Sequence, residues 1–176
     1  MPLPPAHEAA RDGRLEDLRV LVQDEGDDAL VLTDEMGWVP AHAAARNGQT
    51  DVLAFIAENA KRSLTARNQQ GSTPAHLAAR GGHVEILRLL TEHEGMAVLT
   101  VADNDGWLPA HSAARGGHVA VLQFIADSLG SLTLTQTAPQ PKLADLADVA
   151  SAYNQGEVLS FLKTQVILPT LLLPEP

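Results

Sequence analysis

The sequence predicts an all-α fold, a solenoid of about five stacked helix-turn-helix units with short hairpin loops between them. Three observations carry that expectation. Pro-Ala-His recurs at Pro5-Ala6-His7, Pro40-Ala41-His42, Pro74-Ala75-His76 and Pro109-Ala110-His111, a period of about 35 residues. Each of these short alanine-rich runs is closed by glycine, at Gly13, Gly48, Gly81-Gly82 and Gly116-Gly117. A second run with helical apolar spacing follows each stop, so every unit holds two helices and needs a neighbour to cover its apolar face.

The stretch from Gly71 to Leu90 is the most regular copy. Proline at the first helical position lacks only an N–H that would find no partner there, so Thr73-Pro74 starts a helix, and Gly81-Gly82 ends it. The second helix begins near Val84, with Ile86, Leu87, Leu89 and Leu90 on one face and Glu85, Arg88 and Glu92 on the other. The first unit has no hairpin before it and is expected to be the N-terminal cap, with Leu15, Leu18, Leu21 and Val22 forming the buried face of its second helix. Its loop carries Asp24-Glu25 and Asp27-Asp28, to be read either as a solvated capping surface or as a docking strip for a basic partner. Hairpins are expected at 34–39, 68–73 and 103–108, each opening on Asp or Asn and containing glycine, with Leu30, Leu64 and Leu99 as anchors of the turn before. The connection 131–143 lacks the hairpin glycine, so an irregular loop is expected there. A fifth unit puts Asp148 in the histidine position and Tyr153-Asn154 in place of the glycine pair, and is read as the C-terminal cap. These readings place a repeat domain at 1–163, with units at 4–30, 34–63, 68–98, 103–132 and 143–163. An apolar, proline-punctuated tail follows at 164–176, expected either to fold back on the last helix or to be a mobile tail or short recognition segment.

The recurring phase, glycines, prolines and histidines resemble the ankyrin repeat over roughly Pro5 to Leu162. The resemblance implies a hairpin and two antiparallel helices per unit, with the first histidine of each unit tying adjacent hairpins together by hydrogen bonds. Ala41, Ala75 and Ala110 stand where the family usually has leucine, which implies close packing of the first helices. It also implies a concave binding face lined by hairpin tips and first helices, here Met36 and Trp38, Gln70 and Ser72, and Asp105 and Trp107. Arg46, Arg80 and Arg115, with Arg11, precede four successive helix stops as a row of guanidinium groups. They either solvate helix ends or form a stripe that favours a carboxylate-rich partner. Trp38 and Trp107, the only tryptophans, occupy equivalent positions that the family usually leaves exposed, and serve either as binding hot spots or as local packing.

Composition bounds the function. With 45% hydrophobic and 19% charged residues the chain suits a folded domain, and a net charge of −10 disfavours nucleic acid and anionic lipid as partners. Cysteine is absent, the histidines are a repeat apart rather than convergent, and no phosphate loop or nucleophile–base pair is present, so neither a cofactor, a metal nor a catalytic site is expected. No apolar run approaches the 20 or so residues of a membrane span, and Met1 to Pro5 has no signal-peptide pattern, which makes the cytoplasm the default location. The expectation is a non-catalytic protein-interaction module acting as adaptor, scaffold or inhibitor. The alternative is a host-directed bacterial effector that uses the same array to bind a host protein.

Overall fold

A computed structural model describes residues 4–130 and 146–171, with side chains in the final helix as far as residue 165. Helices α1 (Pro5–Asp12) and α2 (Leu15–Glu25), α3 (Pro40–Arg46) and α4 (Thr50–Asn59), α5 (Pro74–Gly81) and α6 (Val84–Glu94), and α7 (Pro109–Gly116) and α8 (Val119–Leu129) form four pairs. Helices α9 (Leu146–Ala152) and α10 (Gly156–Leu171) make a fifth. No strand occurs among the described residues.

The first helices begin as the sequence dictates. Proline occupies the first turn of α1, α3, α5 and α7, and the residue before it is extended, with ψ of 163°, 168° and 164° at Val39, Thr73 and Leu108. The histidine three positions on reaches back: its Nδ1 accepts the backbone N–H of Val39, Thr73 or Leu108 at 3.1, 3.2 and 3.0 Å. Glutamate has this duty in an ordinary capping box. The first helices of neighbouring units pack on one another through buried Ala41, Ala75 and Ala110. Leu18, then Val52, Leu53 and Ile56, then Ile86, Leu87 and Leu90, then Val121, Leu122 and Ile125 continue one core through the second helices. Leu30, Leu64 and Leu99 are buried in 3₁₀ turns that follow α2, α4 and α6. Each leucine-sized side chain so buried contributes about 1.5–3 kcal/mol.

The ends depart from the regular pattern. In α2 only Leu18 is fully buried, because this helix has a neighbour on one side alone; Leu15, Leu21 and Val22 are half-covered. Leu89, expected on the buried face of α6, is half-buried at its margin. At the other end Leu146, Val149, Ala150, Val158 and Leu162 supply the apolar cover for α7 and α8. Asn154 takes the positive φ, 57°, that glycine takes in other units. The sequence reading divides domain from tail after residue 163, but α10 continues to Leu171, so that division falls within a helix. The irregular loop expected at 131–143 lies outside the described residues, as do 172–176.

Candidate functional site

Each hairpin is shaped by one side-chain oxygen. Asp34 Oδ1 accepts the N–H groups of Met36 and Trp38, both at 2.8 Å, and Asp103 Oδ1 accepts those of Asp105 and Trp107 at 3.0 and 2.9 Å. Asn68 does the same for Gln70 and Ser72 at 3.0 and 2.9 Å. The tips are joined edge to edge: Gln69 N–H donates to the Met36 carbonyl at 3.1 Å and Asn104 N–H to the Gln70 carbonyl at 2.9 Å. This leaves the side chains of Met36, Gln70 and Asp105 exposed at the rim.

Histidines lock each hairpin to the unit before it. Because Nδ1 of His42 and His76 accepts a backbone N–H, the ring proton sits on Nε2, which donates to the Ser72 carbonyl at 3.1 Å and the Trp107 carbonyl at 2.8 Å. His7 Nε2 lies 2.7 Å from the Trp38 carbonyl, but its buried Nδ1 has no partner among the described residues, since the residue three positions back is Pro4, which has no N–H. Burial pushes the His42 imidazole down to about 4 and lowers that of His76 as well. Neutral rings with both nitrogens engaged are fixed struts, unsuited to proton transfer.

A second ladder runs beneath the arginines. Gln49, His83, His118 and Gln155, each just before a second helix, donate to the carbonyls of Arg11, Arg46, Arg80 and Arg115 at 3.2, 3.0, 2.9 and 3.1 Å. The preceding unit must come close for this: at Gly82, whose φ is 80°, a Cβ would lie 2.6 Å from His118 Nδ1. The arginine backbones are therefore held in a row by the next unit.

Their side chains differ. Arg11 is spent on Asp12, with contacts of 2.7 and 3.1 Å. The Arg46 guanidinium lies over the Trp38 ring at 5.4 Å, and that of Arg115 lies over Trp107 at 5.9 Å and Tyr153 at 4.7 Å. Arg80 is exposed, has Ser72 rather than tryptophan in its own hairpin, and has its pKa lowered by partial burial and then by the charges of Arg115 and Arg46. Among the described residues none of Arg46, Arg80 and Arg115 has a salt bridge. Trp38 and Trp107, at a position the family usually leaves exposed, are half-buried here, with their rings 6.0 and 6.1 Å from His42 and His111. A hollow of about 380 Å³ opens beside Trp38, lined by Met36, Arg46, Asn47, Asp34, His7, Arg11 and Ala43.

This geometry matches one architecture, and a family model for three copies of the ankyrin repeat matches residues 60–136. Residues 60–136 are similar to ankyrin repeats, and the helix pairs on either side of them continue the same architecture. Ankyrin repeats are non-catalytic modules that mediate protein–protein interaction. No curated protein matches the chain. Among the described residues of this array no group of His, Asp and Glu is placed to hold a metal ion, and no helix is long and apolar enough to cross a membrane.

The array thus brings Trp38 together with Arg46 and Met36, and Trp107 with Arg115, while Gln70 and Asp105 stand apart on the rim. Sequence reasoning missed Tyr153, whose ring closes over Arg115. The available signal was that the chain's single tyrosine occupies the position directly after the arginine in register. It also missed that Gln49 and Gln155 stand in for His83 and His118, although all four immediately precede second helices.

Proposed function

We propose that the protein is a non-catalytic adaptor, scaffold or inhibitor that holds a protein partner in the groove between hairpin tips and first helices. The observation that carries this reading is the row of Arg46, Arg80 and Arg115, without an acidic partner among the described residues, in a chain whose net charge is −10. Three neighbouring cations without a counter-charge repel one another, and partial burial followed by this repulsion lowers the pKa of Arg80. Arginine beside half-buried tryptophan is the composition of binding hot spots. We assign Trp38, Arg46, Arg80, Trp107 and Arg115 to the floor of the site and Met36, Gln70, Ser72 and Asp105 to its rim.

The test compares two faces of the molecule. With a partner isolated by proximity labelling, Trp107→Ala and Arg80→Ala are each expected to weaken binding by about 1–3 kcal/mol. Glu85→Ala and Glu92→Ala, which change exposed residues of α6, are expected to cost under about 1 kcal/mol. Loss of binding in the glutamate variants alone, with every protein folded by circular dichroism, would move the site to the outer helices.

A further inference from the structure

The arginine row has a spacing as well as a charge, and the spacing restricts what can lie along it. First helices here meet through alanine, and packed helices usually stand about 8–10 Å apart, so a row with one arginine per first helix is expected to repeat at about that interval. A β-strand repeats a face about every 6.7 Å or 13 Å and matches neither. A polyproline II segment rises 3.1 Å per residue with three residues per turn, so every third side chain points the same way about 9 Å further on. An α-helix would meet the row only at every seventh residue and needs a trough roughly 10–12 Å wide. The hollow of about 380 Å³ beside Trp38, at the Arg46 end of the row, has room for individual side chains.

The walls fit the same occupant. Trp38 and Trp107 each lend one ring face to a neighbouring arginine and stand only half-buried, as the aromatic walls that receive proline-rich segments do. A guanidinium whose face is covered by a ring still has its N–H edge to offer a carboxylate. Between the two tryptophans, Ser72 leaves a notch in which Arg80 is uncovered by an aromatic ring from its own hairpin. A monoanionic carboxylate suits this notch better than a phosphate dianion, because the remainder of the chain repels each added negative charge.

Resting on the groove reading above, we propose that the partner segment is an acidic polyproline II stretch with carboxylates at every third residue, the central one paired with Arg80. The probe is a fluorescein-labelled Glu-Pro-Pro-Glu-Pro-Pro-Glu peptide, measured by fluorescence anisotropy against the full chain. It is expected to bind about tenfold more tightly than Glu-Pro-Glu-Pro-Glu-Pro-Pro, which has the same composition and the wrong spacing. Arg80→Ala is expected to weaken binding about tenfold or more, and Arg80→Lys to restore only part, since an ammonium is a point charge without the planar fork. Arg80 is exposed, so both variants are expected to keep the parental melting temperature.

Absent binding, equal affinity for both spacings, or indifference to Arg80→Ala overturns the proposal. Tighter binding of a peptide with glutamates every seventh residue overturns the polyproline geometry, and tighter binding of a phosphoserine analogue overturns the carboxylate. A peptide-display selection on the full chain separates the two levels of inference. Selected peptides that lack acidic residues yet lose binding in Trp107→Ala refute the acidic segment and leave the groove standing. Peptides insensitive to every groove substitution refute both.

Discussion

Acid is expected to loosen this array in a defined window, and His42 sets its upper part. The ring is fully buried, with Nδ1 accepting from Val39 and Nε2 donating to Ser72, so it folds neutral and its pKa falls from 6.5 to about 4, chiefly because burial penalises the cation. The unfolded chain therefore takes up a proton below pH 6.5 that the folded chain refuses until about pH 4. Stability from this group is full above pH 6.5, declines as pH falls, and is gone near pH 4. A shift of this size is worth about 3 kcal/mol at 1.36 kcal/mol per pH unit. His76, lowered for the same reason, adds in the same direction. Asp12, held below 3.8 by its hydrogen bond to Arg11, loses its contribution only under more acidic conditions and leaves the window to the histidines. The assay is urea unfolding followed by helical circular dichroism at pH 7.5, 6.5, 5.5 and 4.5, with His42→Gln as control. The control should start lower by about 1–3 kcal/mol, because the N–H of Val39 loses its acceptor, and should show a shallower pH dependence. An unchanged unfolding midpoint between pH 6.5 and 4.5, or an NMR titration of His42 near 6.5, would refute the neutral-strut reasoning.

Two further predictions concern how units are joined and closed. Gly82→Ala should cost about 2–3 kcal/mol, from the left-handed backbone and from displacement of the His118 ring that bonds the Arg80 carbonyl. In a His118→Ala background the penalty should fall to the backbone part, about 1–2 kcal/mol, and a double-mutant cycle with no coupling would contradict the close approach. Ending the chain at Gly130 removes Leu146, Val149, Val158 and Leu162 from α7 and α8, and the exposed face should drive self-association detectable by light scattering. A truncated chain that stays monomeric and melts like the parent would show that α9 and α10 are not a cap.

What the sequence makes legible is whatever the backbone needs in every unit. Proline at the helix start, glycine at the stop, Asp or Asn at the hairpin and histidine at the third helical position recur because each meets a local geometric demand, and the fold follows from them. Contacts between units are harder to read, since different side chains meet one demand. An amide and an imidazole both offer the N–H that Arg11, Arg46, Arg80 and Arg115 carbonyls require, so Gln49 and Gln155 do not look like His83 and His118 although they do the same thing. Tyr153 over Arg115 joins positions with no motif between them. The same logic separates fold from site. Arg11 is followed by Asp12, which neutralises it, whereas Asn47, Gly81 and Gly116 follow the other three arginines and leave their charges for something else to meet. Features common to all units are consumed by stacking, so in the groove proposed above recognition falls to the departures: tryptophan, serine, tryptophan along the hairpins, and three cations out of four left without a counter-charge among the described residues. A partner that depended on the shared features would bind ankyrin arrays indiscriminately, and it is the departures that can make this groove selective.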